Sequence, residues 1–415
     1  MPRSDAIVLG AGIVGTSAAL HLAKRGMSVV LVERGGAGEQ TSYGNAGVIE
    51  GNTLFPHAFP SGFLALLRIA LNRAPEVNYH LTSLPWMAPW LLAYRANTSQ
   101  EGSAAFVEAM RPLFASALSE HEALMSQSGA TRYLRKDGWI KLYRNGAAFA
   151  ATARVRDLAA GLGLRHRVLS GEEARALEPS LMPVFRQAVH WPDAASVSNP
   201  LAVTKAYAAQ FVLLGGLMLK GDARTLHRAG EHWRVDTDEG PIDAKEAVIA
   251  LGPWAPDVLG PLGIKLPLAF KRGYHRHFRP SGNAGLTRPV VDTEYGYCLA
   301  PMEQGIRLTT GAEFAGRDAP PSPDQFARLM PAARELFPLG EGIEAQPWLG
   351  SRPCFADSRP VIGRAPGQPG LWLDYGHAHW GLTLGPVSGR LLAEMMSGST
   401  PFCDPKPYAA ERFAR

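Results

Sequence analysis

The chain has 415 residues, 46% hydrophobic and 19% charged, with a formal net charge of +5. That length allows two domains or one elaborated domain with ample core, and the composition excludes a disordered chain. The charge is small for this size, and no basic run or stacking array accompanies it, so no nucleic-acid partner is expected.

In chain order, Met1-Pro-Arg-Ser-Asp5 runs straight into a first strand and leaves no room for a secretory signal, which makes the cytoplasm the expected location. Ala6-Ile-Val-Leu9 is a short apolar run followed at once by Gly10-x-Gly12-x-x-Gly15, the dinucleotide fingerprint. Gly10 suits a tight turn, Gly12 lets backbone amides near Ile13 and Val14 approach a pyrophosphate, and Gly15 lets the helix pack on the strand. Ser17 to Arg25 has helical spacing and stops at Gly26, so its amino end faces the phosphates. Val29 to Val32 reads as a buried parallel strand. Glu33, followed by Arg34, ends it 18 residues after Gly15, where a carboxylate suits ribose hydroxyls and repels a 2′-phosphate. Both FAD and NAD bind such a unit, so the choice stays open at this point.

Gly35-Gly-Ala-Gly38 and Thr41-Ser-Tyr-Gly-Asn-Ala-Gly47 are too rich in turn formers for helix or strand, and their amides and hydroxyls suit a cofactor's polar middle. Between 54 and 94 lie two apolar patches, Gly62-Phe-Leu-Ala-Leu-Leu67 with Ile69-Ala-Leu71, and Leu84-Pro-Trp-Met-Ala-Pro-Trp-Leu-Leu92. Arg68, Pro85 and Pro89 interrupt them, so neither spans a membrane. With Trp86, Trp90, Arg68, Arg73 and Arg95 they could dip into a bilayer surface or pack against the protein itself.

Leu113, Phe114, Ala117, Leu118, Leu124 and Met125 mark one helical stripe, which Pro112 starts or kinks. Asn199-Pro200 opens a further helix through Leu214, closed by Gly215-Gly216, with a strand at Leu217 to Lys220 behind it. Ala247-Val-Ile-Ala-Leu251 is another buried strand, ending in Gly252-Pro-Trp254, and returns to the nucleotide sheet.

From Lys265 to Gly316 the pattern turns strand-like: Leu266 to Phe278, Arg288 to Thr293, Tyr295 to Ala300 and Ile306 to Phe314, with Pro301-Met-Glu-Gln-Gly305 as a hairpin turn. An antiparallel sheet inserted into a doubly wound domain is a natural substrate cap. Gly350-Ser-Arg-Pro353 follows, then Leu371 to Tyr375, the turn Gly376-His-Ala-His-Trp-Gly-Leu-Thr383 and an apolar helix, whose amino end can face the other end of a long cofactor. Cys298, Cys354 and Cys403 have no metal-type spacing, so no metal site is expected and a reducing compartment is.

Gly10 to Gly15, Thr41 to Gly47, Ala250-Leu-Gly-Pro-Trp254, Arg272-Gly-Tyr-His275, Gly350 to Pro353 and Gly376 to Thr383 together resemble the FAD-dependent D-amino-acid dehydrogenases of the D-amino-acid oxidase and glycine oxidase superfamily. The resemblance spans almost the whole chain. It implies an α/β fold, a Rossmann-type FAD-binding domain (1–52, 151–262, 347–415) with an inserted substrate domain on a mixed or antiparallel sheet (53–150, 263–346). It also implies FAD, with Glu33 on the adenosine ribose and Thr41, Ser42, Asn45, Ala46 and Gly47 along pyrophosphate and isoalloxazine. Thr225, Gly252, Trp254, Gly376 and His377 would stand beside the cofactor, and Gly381, Leu382 and Thr383 at the flavin's pyrimidine edge.

Arg352 would hold the substrate carboxylate through a two-pronged contact. Tyr274 and His275 would line the pocket as catalytic residues, with Tyr43, His379 and Trp380 also against substrate; alternation does not say whether Tyr274 or His275 points inward. Trp380 would narrow the pocket. No cysteine lies in a flavin-attachment motif, so the FAD is expected to be noncovalent. The implied reaction is oxidative deamination of a D-amino acid, or oxidation of a D-hydroxyproline-like imino acid, by hydride transfer from Cα to flavin N5, with a quinone-type acceptor and possible contact with the inner membrane face. Two other readings stand beside it, a glycine or sarcosine-type oxidase giving peroxide and a non-catalytic flavoprotein subunit.

Overall fold

The computed structural model describes residues 3–51, 59–60, 62–322 and 324–414. The amino-terminal runs form β1 (Arg3–Leu9), α1 (Ile13–Ala23) and β2 (Val29–Glu33). Much later segments, β3 (Leu217–Lys220), β4 (Gly240–Ile249) and β5 (Leu371–Tyr375), join them in parallel, in the order β3-β2-β1-β4-β5. Period-two alternation sends Ala6, Val8 and Leu31 to one core and Ile7, Leu9 and Val32 to another. Both faces of the sheet are therefore buried, as parallel strands require.

Four helices cover the first face: α1, α2 (Gln100–Ser128), α3 (Pro200–Leu213) and α4 (Gly381–Met396). α2 starts at Gln100, where the Ser99 hydroxyl caps Gly102 N, so Pro112 lies inside the helix; the stripe through Leu113, Phe114, Ala117, Leu124 and Met125 is buried. Asn199 caps α3 through Ala202 N, with Pro200 in its first position. α4 lies hard against α1, because a Cβ on Gly389 would stand 2.7 Å from Ala18 N and one on Gly385 3.3 Å from the Ile13 backbone. Two glycines one turn apart thus let the helices touch backbone to backbone and bring both amino ends to one place.

The second sheet has 11 strands among the described residues and is built around the strand Leu268–Pro280. That strand pairs antiparallel with Gly305–Thr309 and Ala312–Phe314 on one side and with Trp348–Phe355 and Leu339–Gly342 on the other. Tyr297–Met302 and Gly305–Thr309 form the expected hairpin. Two parallel pairs make the sheet mixed. Its core gathers Phe278, Leu308, Phe326, Leu329 and Leu336, the last three from the helix Asp324–Leu336.

Sheet membership departs from the expected division at two places. Arg167–Ser170 and Gln187–Trp191 belong to the second sheet, inside a segment assigned to the nucleotide-binding part, and so does Trp348–Phe355. An apolar run carries no mark of its pairing partner, so sequence could not assign these strands. The expected boundary at 52/53 lies outside the described residues.

Of the two apolar patches, the helix Leu84–Asn97 buries Met87, Trp90 and Tyr94 but leaves Leu84, Trp86 and Leu92 exposed. The helix Phe63–Ala70 exposes Phe63, at 79%, with Leu66 and Leu67; the side chains of Leu64 and Ala65 lie outside the described set. No helix among the described residues is long and apolar enough to cross a membrane.

Candidate cofactor and substrate site

A cavity of about 560 Å³ runs along the carboxyl ends of β1, β2 and β4 and continues to the second sheet. One end is walled by Glu33, Arg34, the segment 220–224 and Trp254, the middle by Gly10, Gly12, Ile13, Val14, Thr41 and Ser42. The far end is walled by Asn45, Gly273, Arg352, His379, Gly381 and Leu382.

The glycine turn is shaped as the spacing predicts. Gly10 has φ +99°, with Ala250 O 2.8 Å from where a Cβ would stand, and a Cβ on Gly15 would fall inside contact distance of Gly10 O. Gly12 leaves room for Ser42, whose Oγ accepts from Ile13 N at 2.9 Å, so the loop that follows β2 is fastened to the amino end of α1. The Glu33 carboxylate accepts from Ala11 N at 2.8 Å, Arg34 N at 2.9 Å and Gly35 N at 3.3 Å. Of a carboxylate's roughly four acceptor positions this leaves capacity for a hydroxyl in the cavity. The Arg34 guanidinium stacks 4.5 Å over Trp254 and closes this end.

At the other end α4 presents its first turn, Gly381 and Leu382. His121 of α2 donates through Nε2 to Leu382 O at 2.7 Å, and Thr383 bonds the backbone of Val48 and Glu50. Behind this turn sit three buried polar groups: His377 Nε2 lies 3.0 Å from Ser388 Oγ and 3.4 Å from Asp374 Oδ1. Burial raises the Asp374 carboxyl well above its usual range, and burial pushes His377 down to about 3, so the imidazole is neutral near pH 7.

Register decides which residues face the cavity. Opposite residues of antiparallel strands project to the same side, so Lys271 with Arg352, Gly273 with Gly350, and His275 with Trp348 share one face. Arg272 and Tyr274 take the opposite face. Arg272 Nε lies 2.7 Å from Glu313 Oε2 in a pair without solvent exposure. The Tyr274 hydroxyl donates to Glu313 at 3.2 Å and accepts from Ser322 N at 2.6 Å, so although Tyr274 borders the cavity its hydroxyl is committed to this network.

Arg352 is aimed into the cavity, donating to Gly311 O at 3.0 Å and Thr310 O at 3.3 Å. Burial lowers its pKa, and no carboxylate pairs with it among the described residues. The space its guanidinium fills lies over Gly273, which has no side chain to obstruct it.

Several expected site residues serve by packing instead. His275 stacks on Trp348 with centroids 4.9 Å apart and meets the edge of Tyr43 at 5.1 Å; burial first, then Arg307 and His277, push its pKa to about 2. The ring is held neutral, and neither of its nitrogens has a hydrogen-bond partner among the described residues. Trp380 caps α4 and is buried against Phe106 and Phe114, so it belongs to the core and does not narrow the cavity. Thr225 closes a turn by donating to Asp222 O, while its neighbours Asp222 to Arg224 line the cavity. Tyr43, Ala46 and Gly47 support the wall without lining it.

Arg307 went unseen in the sequence. It donates to Tyr43 O at 2.8 Å and Asn45 O at 2.6 Å and through Nε to His277 Nε2, while His277 Nδ1 bonds Glu344. This chain ties the second sheet to the cofactor loop. Trp348 was equally hidden, although Gly44 and Gly350 are the trace of it, since a side chain at either would collide with its indole.

The glycine turn, the acid at the end of β2 and two helix amino ends at one cavity fit a dinucleotide cofactor. Residues 5–395 match the DAO family, described as FAD dependent oxidoreductase. The chain is 31% identical to a D-amino acid dehydrogenase of Paramagnetospirillum magneticum over 94% of each chain. It is 27% identical to a D-amino-acid oxidase of Bradyrhizobium diazoefficiens over 98% of each. Its fold is similar to that of glycine oxidase from Geobacillus kaustophilus, with a TM-score of 0.75 at 23% identity over 99% of both chains. With this fold, this cavity and this match along nearly its whole length, the chain belongs to the DAO family of FAD-dependent oxidoreductases.

Proposed function

We propose that the protein oxidises the Cα–N bond of a D-amino acid, or of a D-hydroxyproline-like imino acid, and passes the electrons to a quinone-type acceptor. The observation that carries this reading is Arg352, a half-buried side chain on the cavity wall whose guanidinium hydrogen bonds go to two backbone carbonyls and which has no acidic partner among the described residues. A planar fork of this kind suits a substrate carboxylate. FAD, when bound, supplies the two-electron acceptor for the hydrogen leaving Cα.

The protein's own part is placement. Arg352 holds the carboxylate, with its guanidinium lying over Gly273, and Trp348, packed over Gly350, forms a wall. The backbone of the loop at 43–45, held by Arg307, and the first turn of α4, held by His121, fix the polar surfaces at this end. No charged side-chain base is required of Tyr274 or His275. Water hydrolyses a released acyclic imine to the 2-oxo acid and ammonia, whereas a cyclic substrate stops at a cyclic imine. Names of relatives support D-amino acids as the substrate class and leave both dehydrogenase and oxidase modes represented.

The FAD is held noncovalently in this reading, since Cys298 and Cys354 are buried and none of the three cysteines lines the cavity. We further assign a peripheral contact with an anionic leaflet to the exposed apolar side chains Phe63, Leu66, Leu67, Leu84, Trp86 and Leu92, with Arg68, Arg73 and Arg95 beside them.

Mixing the protein anaerobically with D- and L-amino acids tests the core of this reading. Bleaching of the flavin by D-amino acids is expected, and reduction by L-enantiomers alone would overturn it. Acid precipitation should release all yellow colour. Turnover with a quinone analogue should greatly exceed turnover with oxygen; equal rates of peroxide formation would make the enzyme an oxidase. Anionic liposomes should sediment the protein at low salt.

A further inference from the structure

Among the described residues, a second cation on the face of Arg352 also lacks an acidic partner. Lys271 stands directly opposite Arg352 in the antiparallel register, and Phe314 is opposite Lys271 on the other neighbouring strand, so the three side chains form one row across three strands. Directly opposite positions start about 5 Å apart, which puts two positive side chains side by side.

The Lys271 ammonium lies 4.2 Å from the ring centre of Tyr94, 5.1 Å from Trp90 and 5.8 Å from Phe314. Trp90 and Tyr94 are themselves stacked and buried, and Trp90 Nε1 donates to Cys354 O. Ala378 belongs both to this aromatic cluster and to the cavity wall, so the box adjoins the substrate end of the cavity.

No ion pair engages Lys271 among the described residues, and the residues outside that set include no aspartate or glutamate. Burial lowers the pKa of Lys271, and the nearby Arg352 charge acts in the same direction. Lys271 is partly buried, and the aromatic faces return only about 0.5–2 kcal/mol to its cation, which leaves it without a full counterpart for the hydration it has lost. One α-carboxylate would balance Arg352 and leave Lys271 unbalanced.

We infer that Lys271 and its box of Trp90, Tyr94 and Phe314 form a second anion subsite, which selects substrates carrying a further carboxylate on a short stem, such as an acidic D-amino acid. The aromatic walls would enclose the methylenes of the stem, and the flexible lysine would meet the distal carboxylate. The inference rests on the substrate reading above for its amino-acid part, but its charge argument concerns any dicarboxylate.

The test uses two readouts on the FAD-loaded protein. Perturbation of the flavin absorbance measures binding of glutarate and of its isosteric monoamide, glutaramate, without any turnover; anaerobic flavin reduction compares D-glutamate with D-glutamine. Glutarate should bind at least tenfold more tightly than glutaramate, and kcat/KM should favour D-glutamate over D-glutamine by a similar factor. Lys271→Met should collapse the glutarate to glutaramate ratio toward one, and Lys271→Arg should retain most of it. A lysine that merely supports the fold would change both ligands alike and leave the ratio intact. Equal binding of the two ligands to the native protein, or an unchanged ratio in Lys271→Met, overturns the inference. If glutarate is preferred but no amino acid reduces the flavin, the subsite stands and the substrate reading fails; if D-glutamine is oxidised as well as D-glutamate and glutarate is not preferred, the reverse holds.

Discussion

Replacing Arg352 by methionine separates what this side chain does for substrate from what it does for the fold. A charged two-pronged contact removed from a buried partner costs about 2–5 kcal/mol, which corresponds to a roughly 30-fold to several-thousand-fold fall in kcat/KM. The free protein should respond in the other direction or hardly at all. Among the described residues the Arg352 guanidinium bonds to Gly311 O and Thr310 O and has no acidic partner, and burial lowers its pKa. Removing a half-buried charge that has no acidic partner relieves part of a desolvation cost, which offsets the two lost carbonyl bonds. Methionine fills similar space, so the thermal midpoint of the FAD-loaded variant should stay within a few degrees of the parent. Steady-state kinetics and a thermal scan on one preparation are sufficient. Arg352→Lys should recover only part of the rate, since a point charge lacks the fork. A normal KM in Arg352→Met would show that another group anchors the carboxylate, and a large fall in midpoint with loss of FAD would show the arginine to be structural.

Gly273→Ala should raise KM without unfolding the protein, because the added methyl meets only the far end of the Arg352 side chain and displaces it; kinetics and a thermal scan check this, and an unchanged KM would mean that the guanidinium relaxes freely. Gly15→Ala should prevent FAD retention or folding, since its Cβ would collide with the Gly10 carbonyl, a rigid backbone atom; flavin content after purification reports it. Acid should destabilise the protein from about pH 6.5 downward. Burial lowers His21 and His377 to about 3, His121 to about 4 and His275 to about 2, so the folded state keeps them neutral while the unfolded chain takes up protons. One unit below the unfolded pKa each costs about 1.4 kcal/mol, and Asp374, with its raised pKa, offsets part of that loss. A thermal midpoint that does not move between pH 7.5 and 5.5 would refute this.

Where the chemistry depends on neighbours in the chain, the sequence was readable. Gly10, Gly12, Gly15 and Glu33 fall within one strand-turn-helix-strand unit, and backbone sterics at a tight turn leave little choice of residue, so the fingerprint, the first helix and the two strands could be placed directly. The Asn199-Pro200 helix start and the hairpin near Gly305 were legible for the same local reason. Arg352 was singled out by the family resemblance of Gly350-Ser-Arg-Pro353, not by any local pattern.

Only the tertiary structure could decide what depends on pairing between distant segments. The register of Leu268–Pro280 against Trp348–Phe355 turned Tyr274 toward Glu313 and His275 toward Trp348, because a shift of one residue in a strand exchanges its two faces. Trp380 was absorbed by a core made of α2 and α4, 106–114 in one and 380 at the start of the other, which no local pattern links. Arg307 acquired its role from carbonyls more than 260 positions earlier, and Lys271 its place beside Arg352 from a strand some 80 residues later. Local sterics and periodicity determine which elements form; hydrogen-bond register and packing between remote elements determine which side chains meet in the cavity.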